Sequence, residues 1–151
     1  MTVPQNTHDS WRRAPLLSHG IRPFFLGAAL WAMAGMALWI AALTGHARPA
    51  VGYGLLAWHA HEFLFGYVGA VLSGFLLTAA TNWTGRASLT GAPLLALFGL
   101  WLAGRIALYF YASVGPYALG IDVALLLVVA LWFAREIVLA RDWLNLRVVA
   151  L

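Results

Sequence analysis

WHAHEFLFGYVGAVLSGFLLTAATNWTGR, residues 58–86, is the stretch that decides the fold of this chain. It begins with two histidines and a glutamate, His59, His61 and Glu62, and continues as an apolar segment spaced by glycines. The segment is long enough to cross a membrane, and it stops at an Asn-Trp-Thr-Gly-Arg turn. An ionisable residue inside such a segment is costly and is a functional-site candidate by default.

The composition indicates an integral membrane protein. Of the 151 residues, 63% are hydrophobic and only 9% are charged, whereas a soluble domain carries about 25% charged residues. All nine basic residues are arginines scattered near the ends of apolar segments, so the net charge of +4 indicates membrane orientation and not nucleic-acid binding. The absence of cysteine excludes disulfides, thiolate-ligated haem and iron–sulfur clusters.

Four apolar segments predict an all-α membrane protein, a bundle of four transmembrane helices at roughly residues 23–44, 55–82, 94–113 and 118–139. We expect residues 1–19 to be a flexible cytoplasmic N-terminus and residues 20–139 to be the membrane domain. Residues 140–151 would be an interfacial tail or the start of a truncated fifth span. Seven arginines flank the spans on the side of the N-terminus and only Arg48 flanks them on the other, which predicts that both termini are cytoplasmic.

The ionisable residues inside the predicted spans fall at one depth. In this orientation His59, His61 and Glu62 lie roughly 6–10 Å below the outer surface, Asp122 roughly 7 Å and Arg105 roughly 12 Å. We therefore expect a polar layer in the outer half of the membrane. A buried arginine needs an anionic partner, so Arg105 would either pair with Asp122 or hold a ligand such as a haem propionate.

The two histidines of the layer are expected to act in different directions. His59 and His61 are separated by about 200° around an unbroken α-helix, so they could not bind one metal ion together. His59 shares its face with Glu62 and the small residues Gly66, Ala70 and Ser73, whereas His61 shares its face with bulky Phe65 and Phe75. We predict that His59 points into the four-helix interior and that His61 points towards a second centre or a neighbouring chain.

The residue types alone leave three interpretations of this layer. It could be a buried polar network, with His59 bonded to Glu62 or to a carbonyl. It could ligate haem or copper through at least one imidazole, since neutral histidine is a common ligand of both. It could also relay protons. Met33 and Met36 could be soft copper ligands or packing residues, and His46 could be a second axial ligand or a surface-loop residue.

Several motifs together resemble the NnrS family. They are Gly20-Ile21-Arg22-Pro23-Phe24-Phe25-Leu26, Trp58-His59-Ala60-His61-Glu62, Gly74-Phe75-Leu76-Leu77-Thr78, Asn82-Trp83-Thr84-Gly85-Arg86 and Leu102-Ala103-Gly104-Arg105. Their order and spacing match the family as well as their residues do, and the resemblance covers nearly the whole chain from about Leu16. It departs from the family where Asp142 replaces the first asparagine of an Arg-Asn-x-x-Asn stretch.

The resemblance implies a multi-pass protein of the bacterial inner membrane that contains haem, suspected to be haem b, and copper, and that is linked to nitric oxide metabolism and resistance in denitrifiers. It implies that His59 and His61 are haem or metal ligands, and it adds weight to Glu62, Arg105 and Asn82. Family members typically have about twelve spans, so this chain would be a short member, a domain or a truncated product. A second copy or a further chain could then complete the site.

Three classes of function follow from these observations. The first is a haem protein that senses or removes nitric oxide, with electrons from a redox partner that the sequence does not identify. The second is a non-catalytic assembly or stability factor whose polar layer locks the helices together. The third is an inactive fragment of a longer family member.

Overall fold

The computed structural model describes residues 15–47 and 54–141, which form an all-helical bundle. Within these residues four helices are long and apolar enough to cross a membrane, which confirms the predicted fold class. After a short 3₁₀ turn at Pro15–Leu17, the helices are α1 (Ile21–Leu43), α2 (Leu55–Thr84), α3 (Ala92–Tyr109), α4 (Tyr111–Val114) and α5 (Tyr117–Ala140). The predictions for residues 1–14, for the loop at 48–53 and for the tail from 142 onwards lie outside the described residues.

The bounds of the predicted spans agree with the structure to within a few residues, except for the third. That span was expected to reach residue 113, but α3 ends at Tyr109 and the backbone breaks at Phe110 before α4. The polar layer keeps its place, because Arg105 precedes the break. The predicted placement of both termini on the cytoplasmic side remains a prediction.

Helix α2 is not the unbroken α-helix that the sequence predicted. It is α-helical over Leu55–His61, π-helical over Glu62–Val68, and α-helical again over Gly69–Thr84. The amide of Gly69 accordingly donates to the carbonyl of Leu64, five residues back. π-Helical turns are rare and frequently lie at functional sites. This one begins at Glu62, the residue that follows the two histidines.

The start of α1 and the second half of α2 pack closely because both carry glycine at the contact. A Cβ at Gly20 would lie 2.5 Å from the Cβ of Leu77, and one at Gly74 would lie 2.8 Å from the Cβ of Phe24. These contacts join two of the quoted motifs, and the amide of Ile21 also donates to the hydroxyl of Thr78 at 3.0 Å. The main buried core lies beside them and consists of Leu17, Phe24, Ala28, Ala70, Leu77, Leu94, Leu97, Trp101, Leu125 and Val129.

The Asn-Trp-Thr-Gly-Arg motif ends α2 at the opposite end from the histidines. Gly85 takes the left-handed conformation, with φ of 65°, that commonly closes a helix. Arg86 then pairs with the buried carboxylate of Glu136 on α5. Asn82 is exposed and lies about 30 Å along the helix axis from Glu62, so it is no part of the polar layer.

Helix α1 leaves the bundle as it runs towards the polar layer. Its buried residues Pro23, Phe24, Gly27 and Ala28 all lie in its first third, and beyond them only Gly35 is buried. The rest of the helix exposes large apolar side chains, including Leu30, Met33, Met36 and Ile40. In a membrane-spanning chain such side chains face lipid. On its other side, the loosely packed part of α1 is separated from the neighbouring helices by clefts.

Candidate functional site

A buried chain of charges links three helices in the predicted polar layer. Arg105 of α3 lies between Glu62 of α2 and Asp122 of α5, and these residues are only 2%, 3% and 6% exposed. Its Nη1 donates to Glu62 Oε2 at 2.6 Å, and its Nη2 forms an ion pair with Asp122 Oδ1. The ionisable groups of the predicted layer are therefore in contact, and of the two roles expected for Arg105 the structure shows the pair with Asp122. The position of the layer in the outer half of the membrane remains a prediction.

His61 extends this chain at the other oxygen of Asp122. Its Nε2 lies 2.7 Å from Asp122 Oδ2, and its ring stacks on Phe65 with the ring centroids 4.6 Å apart. The side chain is 17% exposed, so the imidazole sits at the edge of the buried layer. One carboxylate thus orients the histidine and binds the arginine at the same time.

Glycine makes the other half of the layer possible. A Cβ at Gly66 would lie 2.6 Å from Arg105 Nη1, 2.7 Å from Trp31 Nε1 and 2.9 Å from Glu62 Oε2. Trp31 donates from its indole nitrogen to Glu62 Oε2 at 3.1 Å, and Trp101 donates to the carbonyl oxygen of Gly66 at 3.0 Å. The π-helical segment, through Gly66, is therefore the surface on which the arginine and both indoles converge.

His59 points in a different direction from His61. Its ring stacks on Trp39 of α1, with the ring centroids 4.3 Å apart and the planes tilted by 22°. The prediction that the two histidines act in different directions is therefore confirmed. The assignment of the faces was wrong: His61 enters the layer within the bundle through Asp122, whereas His59 faces α1. The expected bond between His59 and Glu62 is replaced by the bonds of Glu62 to Arg105 and Trp31.

His59 lies on the wall of a cleft of about 230 Å³ between α1 and α2. The cleft is lined mostly by apolar and aromatic side chains, and Glu62 adds a carboxylate to it. Glu62 Oε1 is buried and has no hydrogen-bond partner among the described residues. The residues lining the cleft are Trp31, Ala32, Gly35, Met36, His59, Glu62, Phe63 and Tyr67.

The described residues differ in how well they suit a metal or a haem. No group of three or more histidine, aspartate or glutamate side chains within 15–47 and 54–141 converges as a metal site. His61 nevertheless has the feature typical of a ligating histidine, a carboxylate hydrogen-bonded to one ring nitrogen. The cleft at His59 is smaller than the roughly 300–1,000 Å³ usual for a ligand pocket, so a macrocycle would not fit inside it.

The remaining metal-ligand candidates lie apart from His61. Met36 lines the cleft with His59, whereas Met33 is 64% exposed and does not line it. His46 is exposed beyond the end of α1, where its Nδ1 lies 3.0 Å from the hydroxyl of Thr44. Its surface-loop interpretation therefore fits the structure better than an axial-ligand role.

Two tryptophans of the layer were missed from the sequence. Trp31 and Trp101 are not at a helix end, where tryptophan usually marks the membrane interface. An indole N–H in the middle of a span needs an acceptor, so their positions were a signal that a polar group lies nearby. Glu136 was also missed, although an acid in the last span required a basic partner.

Comparison with known proteins supports the resemblance seen in the motifs. No curated protein and no solved structure matches this chain. The family model described as NnrS protein matches residues 15–151, nearly the full length. The match includes the histidine pair, the three charged residues of the layer and the turn at Arg86. The chain therefore belongs to the NnrS family.

Proposed function

We propose that this chain is a membrane protein of the nitric oxide response or of nitric oxide detoxification, and that it binds haem b, with copper as a second metal. Membership of the NnrS family supports the proposal. The observation that carries it is His61 held by Asp122 at the edge of a buried charged layer. We place the protein in the bacterial inner membrane with both termini on the cytoplasmic side.

His61 is the first candidate ligand. Asp122 engages Nε2 and thereby fixes the plane of the ring. Carboxylates that accept from the second nitrogen orient a ligating imidazole and raise its basicity. A haem iron with one open position would supply a binding site for a small neutral gas such as nitric oxide.

The charge of the layer also favours a cation at His61. Glu62 and Asp122 contribute two carboxylates and Arg105 contributes one guanidinium, so with both acids ionised and His61 neutral one negative charge is in excess. An excess charge in a low-dielectric interior is costly. A metal bound at His61 would offset it. Since Arg105 is already engaged by two carboxylates, we propose that it positions Asp122 and does not clamp a propionate.

The described residues provide only part of a metal centre, because His61 is not joined by two further ligands. We propose that a second copy or a further chain supplies the rest. His61 is 17% exposed at the edge of the bundle, which is where a partner would reach it.

A structural role is the second candidate. It is favoured by the way in which Arg105, Glu62 and Asp122 satisfy one another across three helices. The two functions are separated by purifying the protein from cells supplied with haem precursor and copper. We expect a Soret band, a haem b signal in the pyridine haemochrome spectrum, and a shift of the band when nitric oxide is added. Protein that folds normally but contains neither haem nor copper would support the structural role instead.

A further inference from the structure

The cleft beside α1 contains an acceptor that no described residue uses. Glu62 lines the cleft and is 3% exposed, and its Oε2 accepts from Arg105 and Trp31. Its Oε1 is buried without a hydrogen-bond partner in the described part of the chain. Leaving a buried charged acceptor unpaired is costly. The cleft therefore suits a ligand that brings a hydrogen-bond donor to Oε1.

A second polar group lies on the same face of the helix. His59 precedes Glu62 by three residues, a spacing that brings side chains next to each other. Both line the cleft, and the described residues make no hydrogen bond to the His59 ring, which is held by stacking on Trp39. An imidazole nitrogen and a carboxylate oxygen that lie side by side can both act as hydrogen-bond acceptors for the proton of one hydroxyl group.

The size and lining of the cleft fit a single substituted ring. A protein cavity of about 150 Å³ holds one benzene molecule, so about 230 Å³ accommodates a ring with substituents. Trp31, Phe63 and Tyr67 provide aromatic surfaces for such a ring, and Met36 provides a polarisable one.

Access to the cleft is from the lipid. Met36 and Phe63 line it and are 51% and 56% exposed, and both lie within membrane-spanning helices. A ligand that enters between them must dissolve in the hydrocarbon and carry a hydroxyl on an aromatic ring. We propose that this cleft binds the ring of a lipid-soluble quinol, one hydroxyl of which donates to Glu62 Oε1 beside His59. The proposal goes beyond the proposed function and does not depend on haem.

Binding of decylubiquinol to the purified full chain in detergent tests the proposal, with the dimethyl ether of the same molecule as the comparison ligand. The ether should bind about tenfold more weakly or worse, because it lacks the donor for a charged acceptor. Gly35→Leu should weaken quinol binding by a similar factor. Gly35 lines the cleft, and a Cβ there meets only Trp31 Nε1, at 3.9 Å, so the position has room for a larger side chain that would occupy part of the cleft.

Gly99→Leu is the matched control, since a Cβ at Gly99 on α3 meets nothing within 4 Å and the residue does not line the cleft. It should bind the quinol as the wild type does. Equal affinity of the two leucine variants, or of the quinol and its ether, would overturn the proposal. So would loss of haem or copper from Gly35→Leu alone, because the cleft would then belong to the metal centre. Failure of the proposed haem function leaves these binding ratios unchanged, so the two are distinguishable.

Discussion

The two charged clusters of the bundle bury their acids in different ways. In the first, called the outer cluster after the side of the membrane predicted for it, Glu62, Arg105 and Asp122 are all nearly inaccessible and His61 joins them at the edge. In the second, called the inner cluster for the same reason, only Glu136 is buried, and its partners Arg86 and Arg135 have side chains that are 41% and 62% exposed. The inner cluster therefore exposes its cations, whereas the outer cluster must balance its charges within the bundle.

This difference separates a structural contact from a candidate functional one. Glu136 has two arginine partners, and their excess positive charge is solvated. The outer cluster has two carboxylates for one arginine, and beside them lies the imidazole of His61, which we propose as a metal ligand. We infer that the inner cluster stabilises the contact between α2 and α5, and that the role of the outer cluster is to bind a ligand.

The comparison depends on which cluster lies on the outer side of the membrane. A labelling test of this orientation has the largest expected effect, because each site is either labelled or not. The chain has no cysteine, so a single cysteine reports its own side of the membrane. An impermeant maleimide should label Ser113→Cys in intact cells and Ala87→Cys only after permeabilisation. Both residues are exposed, next to the outer and the inner cluster respectively. The reverse pattern would place the histidine layer on the cytoplasmic side.

Removing the arginine of each cluster should have very different costs. Arg105→Met leaves two carboxylates buried without their cation, and removing one partner of a buried pair costs about 3–5 kcal/mol. Arg86→Met removes a partly exposed cation and leaves Arg135 beside Glu136, so about 0–1 kcal/mol is expected. Reversible unfolding in mixed micelles measures both. Equal losses would mean that the outer layer is no more dependent on charge balance than the inner one.

Neutralising one acid in each cluster should separate cofactor binding from stability. Asp122→Asn removes the carboxylate that orients His61, and loss of such a partner lowers metal affinity about 10–100-fold. Glu136→Gln makes the same chemical change in the inner cluster and should leave the affinity unchanged. Titration of each apo-protein with haem gives the two affinities. If Asp122→Asn is silent while Arg105→Met abolishes binding, then Arg105 serves a ligand directly.

The smallest expected effect comes from a single methyl group. Gly66→Ala would drive a Cβ to 2.6 Å from Arg105 Nη1, and overpacking of this kind costs about 1–3 kcal/mol. Gly120→Ala on α5 meets nothing within 4 Å and should instead stabilise the helix by about 0.5–1 kcal/mol. Thermal unfolding of the two variants gives the comparison. A neutral Gly66→Ala would show that the packing around Arg105 is looser than this geometry requires.

The sequence predicted what depends on depth in the membrane. The lengths of the four spans and the common level of their ionisable residues follow from counting residues along helices, because each helix rises by a fixed amount per residue.

The sequence did not predict what depends on rotation about the helix axes. Counting depth cannot show that Arg105 also binds Glu62, or that Asp122 faces His61. Both acids and the histidine lie at the same level, so only the packed bundle selects the pairs. The π-helical segment adds to the difficulty, since it shifts every face that follows Glu62. For these reasons the prediction placed His59 in the bundle interior, whereas in the structure it is His61 that contacts the buried layer.

The central claim is that His61, held by Asp122, ligates the metal centre while His59 serves the separate cleft. Absorption spectra of His61→Ala and His59→Ala, purified in parallel with His19→Ala as a control, test it most directly. His19 is exposed, and its Nδ1 lies 3.1 Å from the hydroxyl of Ser18. The account predicts that His61→Ala loses the Soret band and that His59→Ala keeps it at the level of the control. Loss of the band from His59→Ala together with its retention in His61→Ala would contradict the account.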